Sequence, residues 1–458
     1  MEFVHRHYQI DDTIAAVATP PGEGGVAIIR ISGKEALSVA EKIFSGPVRS
    51  YQSHTAHFGR ILDEEGRTID EVLLLPMLGS RSYTGEDTVE IHCHGGSLIT
   101  RKVLQRVIQA GARPAAAGEF TFKAFMHGKL DLAQAEAVQN LIGARSELAL
   151  HFAEQQLQGA LSKTISEFQR GLTDLAAILE AWVDFPEEGL EFASMEEVVE
   201  MLTQIREKME RLSQTFYDGK RLHEGLSLCL AGPPNAGKSS LMNALLGKER
   251  AIVTEIPGTT RDLLEADLSL GDLNFRLVDT AGIRKTDERI EQEGIARSRQ
   301  AILDADLVLL VFDAAQSFSD EDRALLDAAQ GKRALIIWNK IDLLDAAPEI
   351  QTTLPSICIS AKERRGLEEL KEEIDKLIWK SGLPSKEEVL ITSLRHREAL
   401  ARALAHLETL ISGLKTGISP EFLSSDMRAA LSELGTIIGT NITEDILSAI
   451  FSKFCVGK

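Results

Sequence analysis

A glycine-rich loop between a predicted strand and a predicted helix constrains the fold of this 458-residue chain more than any other feature. The loop is Gly-Pro-Pro-Asn-Ala-Gly-Lys-Ser at 232–239, between the alternating apolar run 226–231 and the helical pattern 240–246. Backbone N–H groups and a helix N-terminus bind phosphate at such a turn. Lys238 would reach the β- and γ-phosphates, and the Ser239 hydroxyl would ligate Mg²⁺. The loop therefore predicts nucleotide binding.

Two later motifs narrow the nucleotide to guanine. Asp279-Thr280-Ala281-Gly282 follows an apolar run, so its carboxylate would hold Mg²⁺ through water and its glycine N–H would face the γ-phosphate. Asn339-Lys340-Ile341-Asp342 follows another apolar run. The Asp342 carboxylate can accept from the ring N–H and the exocyclic amine of guanine, a pairing that adenine cannot reproduce. Motifs in this order predict GTP hydrolysis.

Other residues are candidates for activating water and completing the metal shells. Ile283 stands where many such GTPases carry a Gln that orients the attacking water. Glu291 is one substitute, although its spacing alone favours a solvated carboxylate on a helix face. Thr260 is the candidate for the Mg²⁺ shell. Asn235, with carbonyl groups of 254–259, can hold a monovalent cation, but Asn is also a common turn residue.

Length, cysteines and charge limit the class of protein. The length suits two or three domains. Four cysteines without close pairs argue against a disulfide framework or a zinc ribbon. We find neither a signal-like segment nor an apolar run that could span a bilayer, so we expect a cytoplasmic protein without membrane contact. The net charge of −19 is unlike that of a lone nucleic-acid binder, so any RNA substrate would require a partner with positive surface.

The patterns predict a multidomain fold, α/β plus all-α. Residues 1–120 form a mixed α/β domain, 121–222 and 382–458 form two parts of a helical domain, and 223–381 form an inserted Ras-like P-loop GTPase domain. We expect the C-terminal helices to fold back onto the 120–220 helices. In the first domain the predicted strands are 13–18, 26–31, 55–62, 72–77 and 88–93, and the predicted helices are 34–44 and 98–110.

Several other residues carry possible chemistry. His92-Cys93-His94 suggests a metal site, but strand alternation places Cys93 on the opposite face from the two histidines, so a strand-to-helix turn is favoured. Cys455 is either a reactive thiol or a small buried apolar side chain. Arg30, Glu90 and Lys129 are isolated charges that no spacing distinguishes.

The chain resembles the bacterial tRNA-modification GTPases of the MnmE (TrmE) family over nearly its whole length. The resemblance goes beyond generic GTPase motifs, because it includes segments in the N-terminal and helical parts and the Cys-x-Gly-Lys tail. The matching segments are 18–22, 24–26, 83–87, 118–121, 128–137, 234–240, 258–262 and 455–458.

The resemblance implies a fold and an activity. The N-terminal domain would bind tetrahydrofolate and dimerise, with folate contacts at Arg30, Glu90, Lys129 and Lys458. A 5-formyl- or methylene-tetrahydrofolate would donate one carbon. With a FAD-dependent partner of the MnmG type, in a heterotetramer or larger complex, the homodimer would place an aminomethyl or carboxymethylaminomethyl group on C5 of the tRNA wobble uridine.

The resemblance also implies roles in the GTPase domain. K⁺ would be held by Asn235, Thr254, Ile256 and Thr259, and Mg²⁺ by Ser239 and Thr260. Glu291 falls at the position that orients water, so the predicted catalytic residues are Glu291, Lys238 and Cys455. The predicted GTP-binding residues are Asn235, Ala236, Gly237, Lys238, Ser239, Ser240, Thr254, Glu255, Ile256, Pro257, Gly258, Thr259, Thr260, Asp279, Thr280, Ala281, Gly282, Asn339, Lys340, Ile341, Asp342, Ser360, Ala361 and Lys362.

Two alternatives to this enzyme function stay open. A regulatory switch of the ribosome-assembly kind would use the same GTPase motifs, but it would need neither the folate residues nor the tail. A folate enzyme with a vestigial GTPase domain conflicts with the complete set of nucleotide motifs.

Overall fold

A computed structural model describes residues 8, 11–184, 194–247, 267–270, 273–278, 300–344, 354–379 and 384–457. The chain divides into two compact units. Unit 1 contains Met1–Gln139, Gln156–Met209 and Glu398–Lys458, and unit 2 contains Asn140–Gln155 and Glu210–Arg397. Segments of unit 1 therefore lie on both sides of unit 2 in the sequence.

A six-stranded sheet forms the N-terminal part of unit 1, with strand order β3-β4-β5-β2-β1-β6. All its pairs are antiparallel except β1 with β6. The strands are β1 (Ile14–Val17), β2 (Gly24–Ser32), β3 (His57–Leu62), β4 (Thr68–Met77), β5 (Thr88–Gly95) and β6 (Arg113–Pro114). Helices α1 (Ala36–Ile43) and α2 (Ser97–Gln109) belong to the same part. Its apolar core includes Ile29, Leu74 and Ile91, since alternate residues are buried along much of β2, β4 and β5.

Local chemistry sets the turns of this sheet. Between β3 and β4 the Asp63 side chain accepts from the backbone N–H groups of Glu65 and Arg67, and Gly66 has a positive φ of 80°.

At β5, Cys93 is buried whereas His94 is exposed, which confirms the expected alternation. Among the described residues, no group of three or more His, Cys, Asp or Glu side chains could hold a metal ion.

The remaining helices of the first half are α3 (Glu119–Met126), α4 (Leu132–Gly143), α5 (Glu147–Leu157), α6 (Ala160–Asp184), α7 (Met195–Gln214) and α8 (Phe216–Glu224). The last three helices of the chain are α12 (Leu394–Lys415), α13 (Pro420–Ile438) and α14 (Glu444–Phe451). The labels α9 to α11 belong to helices between α8 and α12 that are described below with the second sheet. α13 packs along α6, so C-terminal helices do fold back onto the earlier ones. Among the described residues, none of the helices combines the length and apolarity needed to cross a membrane.

A second six-stranded sheet forms the centre of unit 2, in the order β12-β11-β10-β7-β9-β8. Its strands are β7 (Leu226–Ala231), β8 (Asp267–Leu270), β9 (Leu273–Val278), β10 (Leu307–Asp313), β11 (Ala334–Asn339) and β12 (Ser356–Cys358). All pairs are parallel except β8 with β9. Helices α9 (Lys238–Leu246), α10 (Asp320–Ala328) and α11 (Leu367–Ile378) accompany the strands. The two sheets and the helices confirm the predicted α/β plus all-α fold class.

Candidate functional sites

The phosphate loop joins β7 to α9 through two glycines that no other residue could replace without strain. Gly232 has φ +155°, and a Cβ there would lie 2.1 Å from the Val311 carbonyl oxygen. Gly237 has φ +96°, and its Cβ would lie 2.2 Å from the side-chain nitrogen of Asn339. The loop is therefore packed against the ends of β10 and β11, where the carboxyl ends of parallel strands form ligand sites.

Lys238 folds back over this loop. Its Nζ donates to the carbonyl oxygens of Gly232 and Pro233, at 2.6 and 2.8 Å. Burial lowers the pKa of the Lys238 amine, because the charged form loses hydration. The side chain thus places a cationic group inside the turn. The two carbonyl groups provide only part of the negative charge that this cation attracts, and phosphate oxygens would supply the rest.

Asn339 connects three segments that contain predicted GTP-binding residues. Its side-chain nitrogen donates to the Ala236 carbonyl at 2.9 Å, and its oxygen accepts from the Ala361 backbone N–H at 3.0 Å. The residue is buried, so both bonds are made away from water. Asn339 therefore links the phosphate loop, the Asn-Lys-x-Asp motif and the predicted GTP-binding residues 360–362.

Asp313 is a site residue that our sequence reasoning missed. It ends β10, and its carboxylate pairs with Lys340 at 2.7 Å. Lys340 has a positive φ of 68° and directly follows Asn339. The available signal was an acid at the end of the apolar run 307–312, the pattern that identified Asp279.

Asp342 is oriented by Ser360. The Ser360 hydroxyl donates to the Asp342 carboxylate at 2.6 Å and accepts from the Glu363 backbone N–H at 3.1 Å. This hydrogen bond is the main reason why the pKa of Asp342 is lowered. The structure thus brings the predicted guanine acceptor together with Ser360, another of the predicted GTP-binding residues.

Oxygen donors for cations lie at the opening of the phosphate loop. Ser239 and Ser240 are exposed in the first turn of α9, and Asn235 is exposed with φ +62°. Hydroxyl and amide oxygens suit Mg²⁺ and K⁺, so these residues fit the metals that the resemblance implies. The other predicted residues of this site, 254–260, 279–282 and Glu291, lie outside the described residues.

A second cluster lies in unit 1 around Arg30. Two guanidinium nitrogens approach one Glu90 oxygen at 2.9 and 2.8 Å, and a third donates to the Gly457 carbonyl at 3.3 Å. The guanidinium also lies over the rings of Tyr83 and Phe120, 5.9 and 5.7 Å from their centroids. His92, which we did not predict to belong to this cluster, contacts the other Glu90 oxygen at 3.3 Å. Arg30 and Glu90 thus form a largely buried pair, although 60 residues separate them.

The C-terminal tail reaches this cluster through its backbone. Val456 forms a bridge with Ala117, and Gly457, at φ +102°, lies so close to Val17 that a Cβ would be 2.4 Å from its carbonyl oxygen. Cys455 is exposed, so the alternative of a buried apolar side chain is wrong. Lys129 donates to the Ser80 carbonyl at 2.7 Å and shows no contact with the Arg30 pair among the described contacts. Lys458 lies outside the described residues.

Comparison with known proteins identifies the family. The model described as MnmE helical domain matches residues 132–455, and that described as GTP-binding protein TrmE N-terminus matches 13–129. A protein of Protochlamydia amoebophila named tRNA modification GTPase MnmE is 60% identical over 100% of both chains. The chain belongs to the MnmE family of tRNA modification GTPases.

Other MnmE proteins match at lower identity. The one from Chlamydia felis is 46% identical over 98% of this chain and 99% of its own length. Among solved structures, the G domain of the T. maritima FeoB iron transporter is 28% identical, covering 33% of this chain and 98% of that one, with a TM-score of 0.24.

Proposed function

We propose that this chain is a K⁺-activated GTPase that modifies tRNA. Together with a FAD-dependent partner, it would install an aminomethyl or carboxymethylaminomethyl group on C5 of the wobble uridine, with a tetrahydrofolate derivative as the one-carbon donor. The observation that supports the proposal is the Arg30–Glu90–Gly457 cluster in a chain whose described residues also bring the phosphate loop and the Asn-Lys-x-Asp motif into contact. A GTPase that acts only as a switch has no need for the cluster.

In the nucleotide site, residues of this chain would bind and orient GTP. Asp342 would select guanine, Lys238 would contact the β- and γ-phosphates, and Asn339 would keep the two parts of the site in register. Ser239 and Thr260 would hold Mg²⁺, and Asn235 with the 254–259 segment would hold K⁺. When bound, these cations would supply positive charge that stabilises the negative charge on the phosphoryl group. Glu291 would orient the attacking water.

In the N-terminal cluster, Arg30 and Glu90 would orient the folate. The pair presents an acceptor and several donors in a fixed geometry beside the Tyr83 and Phe120 rings, which suits a flat, polar heterocycle. The tail carbonyl of Gly457 accepts a hydrogen bond from the guanidinium, and Cys455 precedes Gly457 by two residues in the sequence. The proposed assembly is a homodimer bound to the partner and tRNA, with the partner supplying positive surface.

The test is mass spectrometry of tRNA nucleosides from a bacterium that lacks its own homologue. We expect the native chain to restore C5-aminomethyl-type wobble uridine, and Lys238→Ala and Glu90→Gln each to abolish it. Unmodified uridine with the native chain, when the chain is folded and the partner is present, would favour the regulatory switch. Modification that survives Lys238→Ala would favour the folate enzyme with a vestigial GTPase domain.

The cation requirement is tested separately with purified protein. We expect GTP hydrolysis to be faster in KCl than in NaCl at equal ionic strength, and Asn235→Ala to remove that difference. Equal rates of the native protein in the two salts would contradict K⁺ activation while leaving the rest of the proposal intact.

A further inference from the structure

A small cavity lies behind the phosphate loop in unit 2. Its volume is about 20 Å³, and it is lined by Pro233 and Pro234 of the loop, by Asp313 and Trp338 at the ends of two strands, and by Asp322 of α10. Phe312, Phe318 and Trp338 pack as a ring cluster with centroids 5.2 to 6.0 Å apart, which gives one side of the cavity a rigid wall. None of our assignments above uses this cavity.

Two buried polar atoms of the lining residues have no hydrogen-bond partner within the described part of the chain. They are the indole nitrogen of Trp338 and one carboxylate oxygen of Asp322. Both residues are more than nine-tenths buried. Buried polar groups are almost always hydrogen-bonded, so this donor and this acceptor call for a ligand.

The other carboxylate oxygens of the lining residues Asp322 and Asp313 already accept hydrogen bonds. The second Asp322 oxygen accepts from the Ser319 backbone N–H and hydroxyl, which closes the N-terminal capping box of α10. The Asp313 oxygens accept from Lys340 and from the Ala315 backbone N–H. A ligand shared by these two atoms would accept one hydrogen bond from the indole N–H and donate one to the carboxylate, within a volume of about 20 Å³ that Gln316 and Ser317 also line.

We propose that Trp338 and Asp322 bind one buried water behind the phosphate loop. A water can accept from the indole N–H and donate to the carboxylate at the same time, and a cavity of this size holds one water. A cation would match the carboxylate but would face the indole N–H with its positive charge. The water links α10 to Trp338 of β11, the residue before Asn339. It also fills the cavity that Pro233 and Pro234 line.

Nuclear magnetic resonance of the full chain tests this proposal, because the chain has three tryptophans and hence three indole N–H signals. We expect a cross-peak to a long-lived water at the Trp338 indole. Trp379 does not line this cavity, but its buried indole nitrogen also has no partner among the described residues, so its signal must be distinguished from that of Trp338. Trp338→Phe and Trp379→Phe assign the two signals.

A crystal structure in which ordered waters are visible gives the second measurement. We expect density within hydrogen-bond distance of both the Trp338 nitrogen and the free Asp322 oxygen, and loss of that density in Trp338→Phe. A Trp338 indole without a bound-water cross-peak, or one that donates to a protein acceptor in the crystal, would overturn the proposal. The crystal structure of the native chain decides the question even if Trp338→Phe does not fold.

Discussion

The side chain of Asn339 donates to the carbonyl oxygen of Ala236 across 2.9 Å, in a buried contact that joins two motifs 103 residues apart. We expect Asn339→Ala to weaken GDP binding at least tenfold, because it leaves the buried Ala236 carbonyl and the Ala361 N–H unpaired, at about 1–3 kcal/mol for each group. Gln330→Ala removes an amide that bonds Asp327 and should leave the affinity unchanged. Calorimetry measures the GDP affinity of both variants, and equal affinities would contradict this role of Asn339.

Asp342 should set the choice of base. The Asp342→Asn side chain offers one acceptor and one donor in place of two acceptors, so it no longer matches the ring N–H and exocyclic amine of guanine. We expect the preference to move from GTP toward XTP, whose base carries a carbonyl oxygen in place of that amine. Hydrolysis rates with the two nucleotides measure the change, and an unaltered ratio would exclude Asp342 from base recognition.

The Ser360 hydroxyl should control the titration of Asp342. The pKa of Asp342 is lowered, so its charge persists during acidification and is lost only as the pH falls through that lowered pKa. We expect Ser360→Ala to raise the pKa toward the ordinary Asp value, so that the charge is lost at a higher pH. Carboxyl-carbon resonance titration gives the value directly. Ser385→Ala removes an exposed hydroxyl elsewhere and should not shift it.

Gly457 should be needed for the tail to reach the Arg30 pair. In Gly457→Ala the Cβ would clash with the Val17 carbonyl, so we expect the tail to move away and Arg30 to lose the Gly457 carbonyl. The matched control is Gly66→Ala, which has φ +80° but open space around it and should cost only about 1 kcal/mol of backbone strain. Binding of 5-formyl-tetrahydrofolate should fall several-fold in Gly457→Ala alone; equal affinities in the two variants would argue against a role for the tail.

Cys455 should react before the other cysteines. Its side chain is exposed, whereas Cys93 and Cys229 are buried, and burial raises the pKa of the Cys93 and Cys358 thiols. Since the thiolate is the nucleophile, we expect iodoacetamide at pH 8 to alkylate Cys455 first. Peptide mass spectrometry over time ranks the four sites. Early labelling of Cys93 would mean that the N-terminal sheet opens under native conditions.

Periodicity predicted the regular elements where the local pattern is strong. The predicted strand 226–231 has the observed bounds Leu226–Ala231, and the predicted helix 98–110 is observed as Ser97–Gln109. The two-residue strand Arg113–Pro114 was not predicted, because a segment that short with a proline has no pattern of its own. It is a strand only because it pairs with β1.

The sequence by itself determined the phosphate loop, the guanine motif and the fold class, because glycine positions, motif order and apolar periodicity act over a few residues. The tertiary structure alone decided which distant groups meet. Arg30 with Glu90 and Gly457, Lys340 with Asp313, and Asp342 with Ser360 are such pairs. The physical reason is that a charge or hydroxyl gives no sign of its partner in the sequence, and only strand register and chain reversal bring the two within hydrogen-bond distance.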